Sequence, residues 1–303
     1  MKREVGQSDL PEEGISSKRN YSTPPPSHPL SFLLRFLMPL YKTPAVILHT
    51  LPYGESDQIV TFYTLDFGKV KGIAKGAKRS RKRFGVRLEI ASYVKVTFFE
   101  KETSSLVRLS NCDLIRPFDG LREDIKKLAW ASYFIELVNE MTAEKIQNKP
   151  LFRLLVAFLT FINKGMLEEE IQRVFEIRFL SCLGYQPQLE HCTHCQKKLS
   201  GERFFFSPRK GGVICSACAA SLSGLIPVSL GTIKTLLLAH TLPLEKVSRI
   251  SFSPQSLKES LAILSSFLQQ YLGKELKSRK FLEQITPNAE QTIITKSQAA
   301  NSK

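Results

Sequence analysis

The sequence predicts an α+β protein: a small five-stranded β-barrel near the N-terminus, then a helical domain with an inserted four-cysteine metal module. Three observations predict it. Residues 41–117 alternate short β-prone segments with turn residues; after Pro117 apolar side chains recur every three or four positions; and two CxxC pairs stand nineteen residues apart. At 303 residues the chain is long enough to bury a sizeable core and to form two domains.

Residues 1–37 are rich in Ser, Pro and charge, with Pro24, Pro25 and Pro26 in succession. Such a composition cannot bury a core, so the segment is predicted to be disordered. The character changes sharply at Met38. This predicts that translation of the native protein starts there; an intact native mass beginning at Met1 would contradict it.

The first domain is predicted over residues 38–118. Its strands are Ala45–Thr50, Gln58–Thr64, Lys69–Ala74, Ile90–Phe99 and Leu106–Leu114. The fourth is the clearest: Ile90, Val94, Val96 and Phe98 fall on one face, and Tyr93, Lys95, Thr97 and Phe99 on the other, the period of two of a half-buried strand. Five strands in so short a stretch suit a closed oligonucleotide-binding barrel. In that fold a basic groove tracks the sugar–phosphate backbone and aromatics stack on bases, roles open here to Tyr53, Tyr63, Phe84 and Phe99.

Charge points the same way. Lys and Arg total 43 against 28 Asp and Glu, a net charge of +15, which favours nucleic acid first and an anionic membrane surface second. Residues 38–118 hold +7 in half the length over which residues 119–282 hold the same excess. The densest stretch, Lys69 to Arg87, has nine bases and no acid, and glycines make part of it a mobile loop. Most charge runs are merely solvated surface; the lack of acids and the flanking strands argue otherwise here. The candidate DNA contacts are Lys71, Lys75, Lys78, Arg79, Arg81, Lys82, Arg83 and Arg87.

Pro117 and Gly120 mark the change to helix. Leu121, Ile125 and Leu128 start an apolar face that Trp130, Phe134, Leu137 and Met141 continue. A second helix follows Pro150 to Ile162. A third follows Gly165 with Ile171, Val174, Phe175, Phe179 and Cys182 inward; its adjacent Glu168, Glu169 and Glu170 fit the positive end of the helix dipole better than a catalytic role. Ser229–His240 and Leu257–Leu272 complete the domain at about residue 282, and residues 283–303 read as a disordered tail.

The metal module, residues 189–222, carries Cys192, Cys195, Cys215 and Cys218. Two residues between cysteines let both thiolates of a knuckle face one ion, and Phe204–Phe206 with Val213–Ile214 can form the hairpin that joins the knuckles. Four thiolates close a tetrahedral shell and leave no position for water, so a zinc ion here would hold structure. An iron–sulfur cluster or a dithiol pair are the alternatives, and His191 and His194 stand close enough to replace a cysteine. Cys112 and Cys182 read as inert core. This cysteine usage fits a reducing compartment, and no apolar run reaches the length of a membrane span.

No known catalytic motif is present. Gly72 to Lys78 lacks the spacing and the Gly-Lys-Ser/Thr ending of a phosphate-binding loop, and the five histidines show neither metal nor triad spacing.

Several pieces in fixed order carry a resemblance: Tyr41-Lys42-Thr43, Gly54-Glu55-Ser56-Asp57, the run Lys69 to Arg79, the strand Tyr93–Phe99, Phe179 to Pro187 ahead of Cys192, Phe206-Ser207-Pro208, and Leu276-Lys277-Ser278-Arg279. Residues 38–282 thereby resemble the RecO family of bacterial recombination mediators. The resemblance implies an oligonucleotide-binding barrel followed by a helical domain with a zinc ribbon. It implies non-catalytic binding of single- and double-stranded DNA, strand annealing, and partnership with RecR and the acidic tail of single-stranded DNA-binding protein, so that RecA is loaded on gapped DNA. A cytoplasmic, nucleoid-associated protein is the corresponding location. A protein–protein adaptor and an RNA-binding regulator are the competing functions.

Overall fold

The computed structural model describes residues 39–80, 83–100, 104–201 and 203–285. The readings made on residues 1–37, on the end of the tail and on Arg81 and Lys82 fall outside them. Five strands form a closed barrel: β1 (Leu40–Tyr53), β2 (Asp57–Thr64), β3 (Gly68–Ala74), β4 (Tyr93–Phe99) and β5 (Val107–Arg116), in the order β1-β2-β3-β5-β4. This is the oligonucleotide-binding arrangement anticipated from the strand count. β1 is much longer than its apolar segment because it pairs with β4 along its first half and with β2 along most of its length, bending at a bulge between Ile47 and His49.

The run Ala45-Val46-Ile47-Leu48 explains why β1 shows no alternation. Ala45 and Ile47 fill the barrel with Phe62, Val94, Val96 and Phe98, whereas Val46 and Leu48 face the helical core. Strand β4 starts at Tyr93. Ile90, assigned to it from the sequence, lies in the preceding turn and is exposed. Closure rests on a short parallel contact of β3 with β5, where Gly72 pairs with Val107. A Cβ on Gly72 would lie 2.3 Å from Leu109 Cδ1 and 3.0 Å from Val107 O, so a larger residue there would force the buried Leu109 side chain to move.

The helical body has α1 (Ile125–Met141), α2 (Lys149–Asn163) and α3 (Glu169–Cys182). Asp124 accepts from Lys126 N at the start of α1, and Asn148 from Leu151 N at the start of α2. Trp130, Phe134 and Leu137 are buried as the periodicity requires, but Ile125 and Leu128 are exposed, because the first turn of α1 projects beyond the core. Helix α3 is buried on all sides from Ile171 to Leu180, with Phe175 stacked 3.9 Å from Phe134. Burial of each such ring contributes about 1.5–3 kcal/mol.

A three-stranded sheet, β6 (Phe204–Ser207), β7 (Gly212–Cys215) and β8 (Ile226–Val228), follows with the one-turn helix α4 (Ser216–Ala219) after β7. Helices α5 (Leu230–Thr241), α6 (Pro254–Leu272) and α7 (Lys277–Ile285) close the body. Gly273, at φ 64°, ends α6 in the left-handed conformation glycine adopts without strain. Glu136 of α1 then accepts from the Lys277 and Ser278 amides, capping α7 from another helix.

Barrel and helices form one compact unit. Lys145 N donates to Lys69 O at 2.8 Å, and Lys69 Nζ donates to Asn139 O at 2.6 Å. Gly68 (φ 66°) approaches Ile146 so closely that a Cβ would meet its carbonyl oxygen at 1.9 Å.

Candidate nucleic-acid interface and metal centre

The connection from β3 to β4 carries most of the anticipated contacts, and it is anchored rather than loose. Phe84 is completely buried and, with Ala77 and Leu88, closes one end of the barrel core. Around this plug the backbone turns through Ser80 N to Gly76 O at 2.9 Å and Phe84 N to Ser80 O at 3.1 Å, then a 3₁₀ turn over Gly85–Leu88. Asp57, at the start of β2, accepts from Gly76 N at 2.8 Å. That amide, the largest influence, holds the Asp57 carboxyl below the usual carboxylate range; desolvation opposes it, and Ser56, Lys75 and Lys78 add smaller lowering contributions.

With its apolar residues turned inward, the loop leaves its cations in water. Lys75, Lys78, Arg79 and Arg83 are all exposed. Lys78 Nζ donates to Gly54 O at 3.2 Å, Arg83 Nε donates to Ser80 Oγ at 3.1 Å, and Arg79 lies 3.8 Å from Glu55. An exposed pair at that distance contributes little, so the positive potential is hardly reduced. Arg87 is half-buried, and its carbonyl accepts from Cys112 Sγ. Lys71 stands apart: its ammonium lies 2.7 Å from the Glu144 carboxylate of the α1–α2 connection. Lys69 is buried, and desolvation lowers its pKa.

The aromatics divide in two. Tyr53 is 54% exposed on the β1–β2 hairpin whose tip Lys78 contacts, and Phe99 is half-buried at the barrel surface opposite Arg108. Tyr63 and Phe84 are fully buried and unavailable for stacking; burial drives the Tyr63 hydroxyl pKa upward. Sequence reasoning passed over Lys42, Lys95 and Arg108, all exposed on the outer face of β1, β4 and β5, where Lys42 pairs with Thr97 and Phe99 with Arg108. The alternation that put Lys95 and Phe99 on the same face of β4 was the available signal.

The four cysteines converge. Their sulfurs all lie within 4.8 Å of one another, and Cys195 Sγ is 3.9 Å from Cys215 Sγ. The edge of a tetrahedron with metal–sulfur bonds of 2.3 Å is about 3.8 Å. Cys192 is buried and accepts from Cys215 N at 3.4 Å. Burial opposes its ionisation, but the amides of Cys195, Cys215 and His194 outweigh that and bring its pKa down to about 6. Hydrogen bonding to Cys215 instead pushes Cys218 up to about 12. The Cys192 thiolate is thus favoured while Cys218 resists ionisation, and a cation among the four sulfurs would stabilise both as thiolates. His191 and His194 are not in the cluster.

One nucleophile–base pair escaped the sequence reading. His240 Nε2 lies 2.9 Å from Ser181 Oγ, on helices separated in sequence. Desolvation and the nearby Arg178 lower the His240 pKa, and the ring's recorded contacts among the described residues include no carboxylate to orient it. The buried carboxylate of α3, Glu176, serves packing: it accepts from Tyr133 Oη at 2.6 Å and pairs with Arg173 at 2.7 Å. No helix among the described residues is long and apolar enough to cross a membrane.

The barrel order, the appended helical body and the four converging thiols define a protein of the oligonucleotide-binding-barrel type with a four-cysteine cluster that could hold a metal ion. Residues 38–118 match the family model described as "Recombination protein O N terminal", and residues 122–280 match "Recombination protein O C terminal". A "DNA repair protein RecO" of Syntrophus aciditrophicus is 42% identical over 248 residues, covering 81% of this chain and 96% of that protein. Proteins of the same name from Syntrophotalea carbinolica and Geobacter metallireducens are 37% and 34% identical, covering 80% and 82% of this chain and 93% and 98% of their own lengths. The chain belongs to the RecO family of DNA repair proteins.

Proposed function

We propose that the protein is a non-catalytic DNA-binding recombination mediator. On this reading residues 38–118 bind single- and double-stranded DNA and residues 119–282 form the partner-binding domain, with the ribbon at 189–222. The observation that carries it is the group of exposed cations Lys75, Lys78, Arg79 and Arg83 on a loop plugged into the barrel by Phe84. Arg81 and Lys82 fall between them in sequence and belong to the same proposal, with Arg87 and Lys71 as lesser members. Lysine and arginine facing phosphates release condensed counterions, so binding tracks the backbone and reads no sequence. Annealing follows because one cationic surface lowers the repulsion between two strands held on it.

Cys192, Cys195, Cys215 and Cys218 would hold one structural zinc ion, which supplies charge neutralisation and cross-links the two knuckles. The proposed partners are RecR and the acidic tail of single-stranded DNA-binding protein, with loading of RecA on gapped DNA as the outcome, in the bacterial cytoplasm at the nucleoid.

The test is filter binding of single-stranded DNA, duplex and RNA to the wild-type chain and to a variant with Arg81, Lys82 and Arg83 reversed to Glu. Weaker binding to all DNA sequences alike supports the reading. Unchanged affinity removes the loop from it and favours an adaptor; a preference for RNA favours an RNA-binding regulator.

A further inference from the structure

A second exposed group of aromatic and basic side chains lies on the helical body, away from the β3–β4 loop. Tyr185, just after α3, and Tyr271, near the end of α6, stack at 4.2 Å with their planes inclined by 24°. They remain 40% and 41% exposed, so part of the pair is open to solvent. Tyr271 in turn meets the buried ring of Phe267 edge-on at 5.1 Å, and Phe267 meets Phe206 of β6 at 5.6 Å. The stack is therefore rooted in the core and held rigid.

The same ladder reaches the β6–β7 turn of the ribbon. Phe267 is the nearest neighbour of Gly211, 3.9 Å from where a Cβ would stand. Gln188, three residues after Tyr185, donates to Gly211 O at 2.9 Å and accepts from Val213 N at 2.9 Å. The turn, linked to the tyrosines through Phe267 and Gln188, carries Arg209 and Lys210, both exposed and neither in an ion pair among the described residues. Residues 189–222 hold five bases and two acids, so this end of the molecule is cationic.

Two stacked, part-exposed tyrosines offer a rigid aromatic surface with a polar end, of the kind enriched at interfaces. Rigid aromatic faces beside unpaired cations are the arrangement that binds unpaired nucleic-acid strands: bases stack on the rings while the cations meet phosphates, with little sequence preference. We infer that Tyr185, Tyr271, Arg209 and Lys210 form a second contact for single-stranded DNA, separate from the barrel loop. The inference rests on DNA being the ligand, as proposed above, but not on the barrel loop being its main site. Two contacts on one rigid unit give annealing a physical route: one strand on the loop and the other held with its bases ordered on the tyrosines.

The test uses the full chain and a single-stranded oligonucleotide containing 5-iodouracil, which photocross-links to aromatic side chains it stacks on. Cross-linked peptides containing Tyr185 or Tyr271 are expected. Tyr185→Ala with Tyr271→Ala should weaken single-strand binding about ten-fold, and the double Phe variant, which keeps the stack, should restore it. Circular dichroism of each variant separates a lost contact from a lost fold. In a chain whose loop cations are reversed, residual single-strand binding should vanish on adding Arg209→Glu and Lys210→Glu. Cross-links confined to the barrel, with wild-type affinity in the Ala variant, would overturn this contact and leave the loop reading standing. Lost capture of a protein partner with DNA affinity unchanged would overturn it too, marking the patch as a protein interface.

Discussion

The Arg83 guanidinium lies 5.1 Å from the centre of the Phe84 ring, one residue pointing into solvent and its neighbour wholly inside the barrel. This adjacency links folding to binding: the residue that completes the barrel core also fixes the position of the cations around it. A charged loop held by an apolar plug presents its charges in one arrangement, so less conformational entropy is lost when a ligand binds.

Replacing Phe84 by Ala should therefore do two things. Stability should fall by about 3–5 kcal/mol, the cost of emptying a phenylalanine site, read as a lower midpoint in urea. DNA affinity at temperatures where the variant is still folded should also fall, although no charge has been removed. A variant that loses stability but binds DNA as before would uncouple plug from loop.

Asp57 gives the loop a pH response. Its folded pKa is depressed, chiefly by the Gly76 amide, so the carboxylate's contribution is present above the ordinary value of about 3.9 and is lost as pH falls through the depressed one. The Gly76 amide resonance should shift in that acidic window and not between pH 6 and 8. Asp57→Ala should abolish the shift.

Gly68 is the tightest point between barrel and helices. An alanine there would strain a backbone at φ 66° and drive a methyl into the Ile146 carbonyl. The expected cost is at least about 3 kcal/mol, and limited proteolysis should open the chain near residues 144–148. An unchanged melting temperature and cleavage pattern would show that the two parts are not docked through this contact.

Removing metal should act on the ribbon. Treatment with a chelator, or Cys192→Ser, should abolish zinc binding measured by elemental analysis and lower Tm by at least about 5 °C, the shift that roughly 2 kcal/mol gives in a chain of this size. Affinity for duplex DNA should change far less. A chain purified without zinc, and indifferent to added zinc, would contradict the proposed cofactor.

The periodic part of this architecture was legible from residues alone. Val94, Val96 and Phe98 do point into the barrel, and the two CxxC pairs do meet, because alternation and ligand spacing are local properties. What escaped was set by tertiary context. Phe84 stands among cations and read as a stacking platform, yet the barrel end needed an apolar plug. Nothing near Arg173 and Glu176 announces that α3 is enclosed on every side and buries its own ion pair. Ile125 and Leu128 continue an apolar stripe past the place where the core ends. Lys71 belongs to the basic run by sequence, but its pairing with Glu144 depends on how barrel and helices dock.

Salt dependence tests the central claim most directly. Contacts to about five phosphates give a slope of log K against log[salt] near −3.5 on single strands. Reversing Lys75, Lys78, Arg79 and Arg83 to Glu removes up to four of them, so the slope should flatten by as much as about 2.8, with affinity falling alike on every sequence. An unaltered slope in that variant would mean that the phosphates are held elsewhere, and the assignment of the β3–β4 loop would fail.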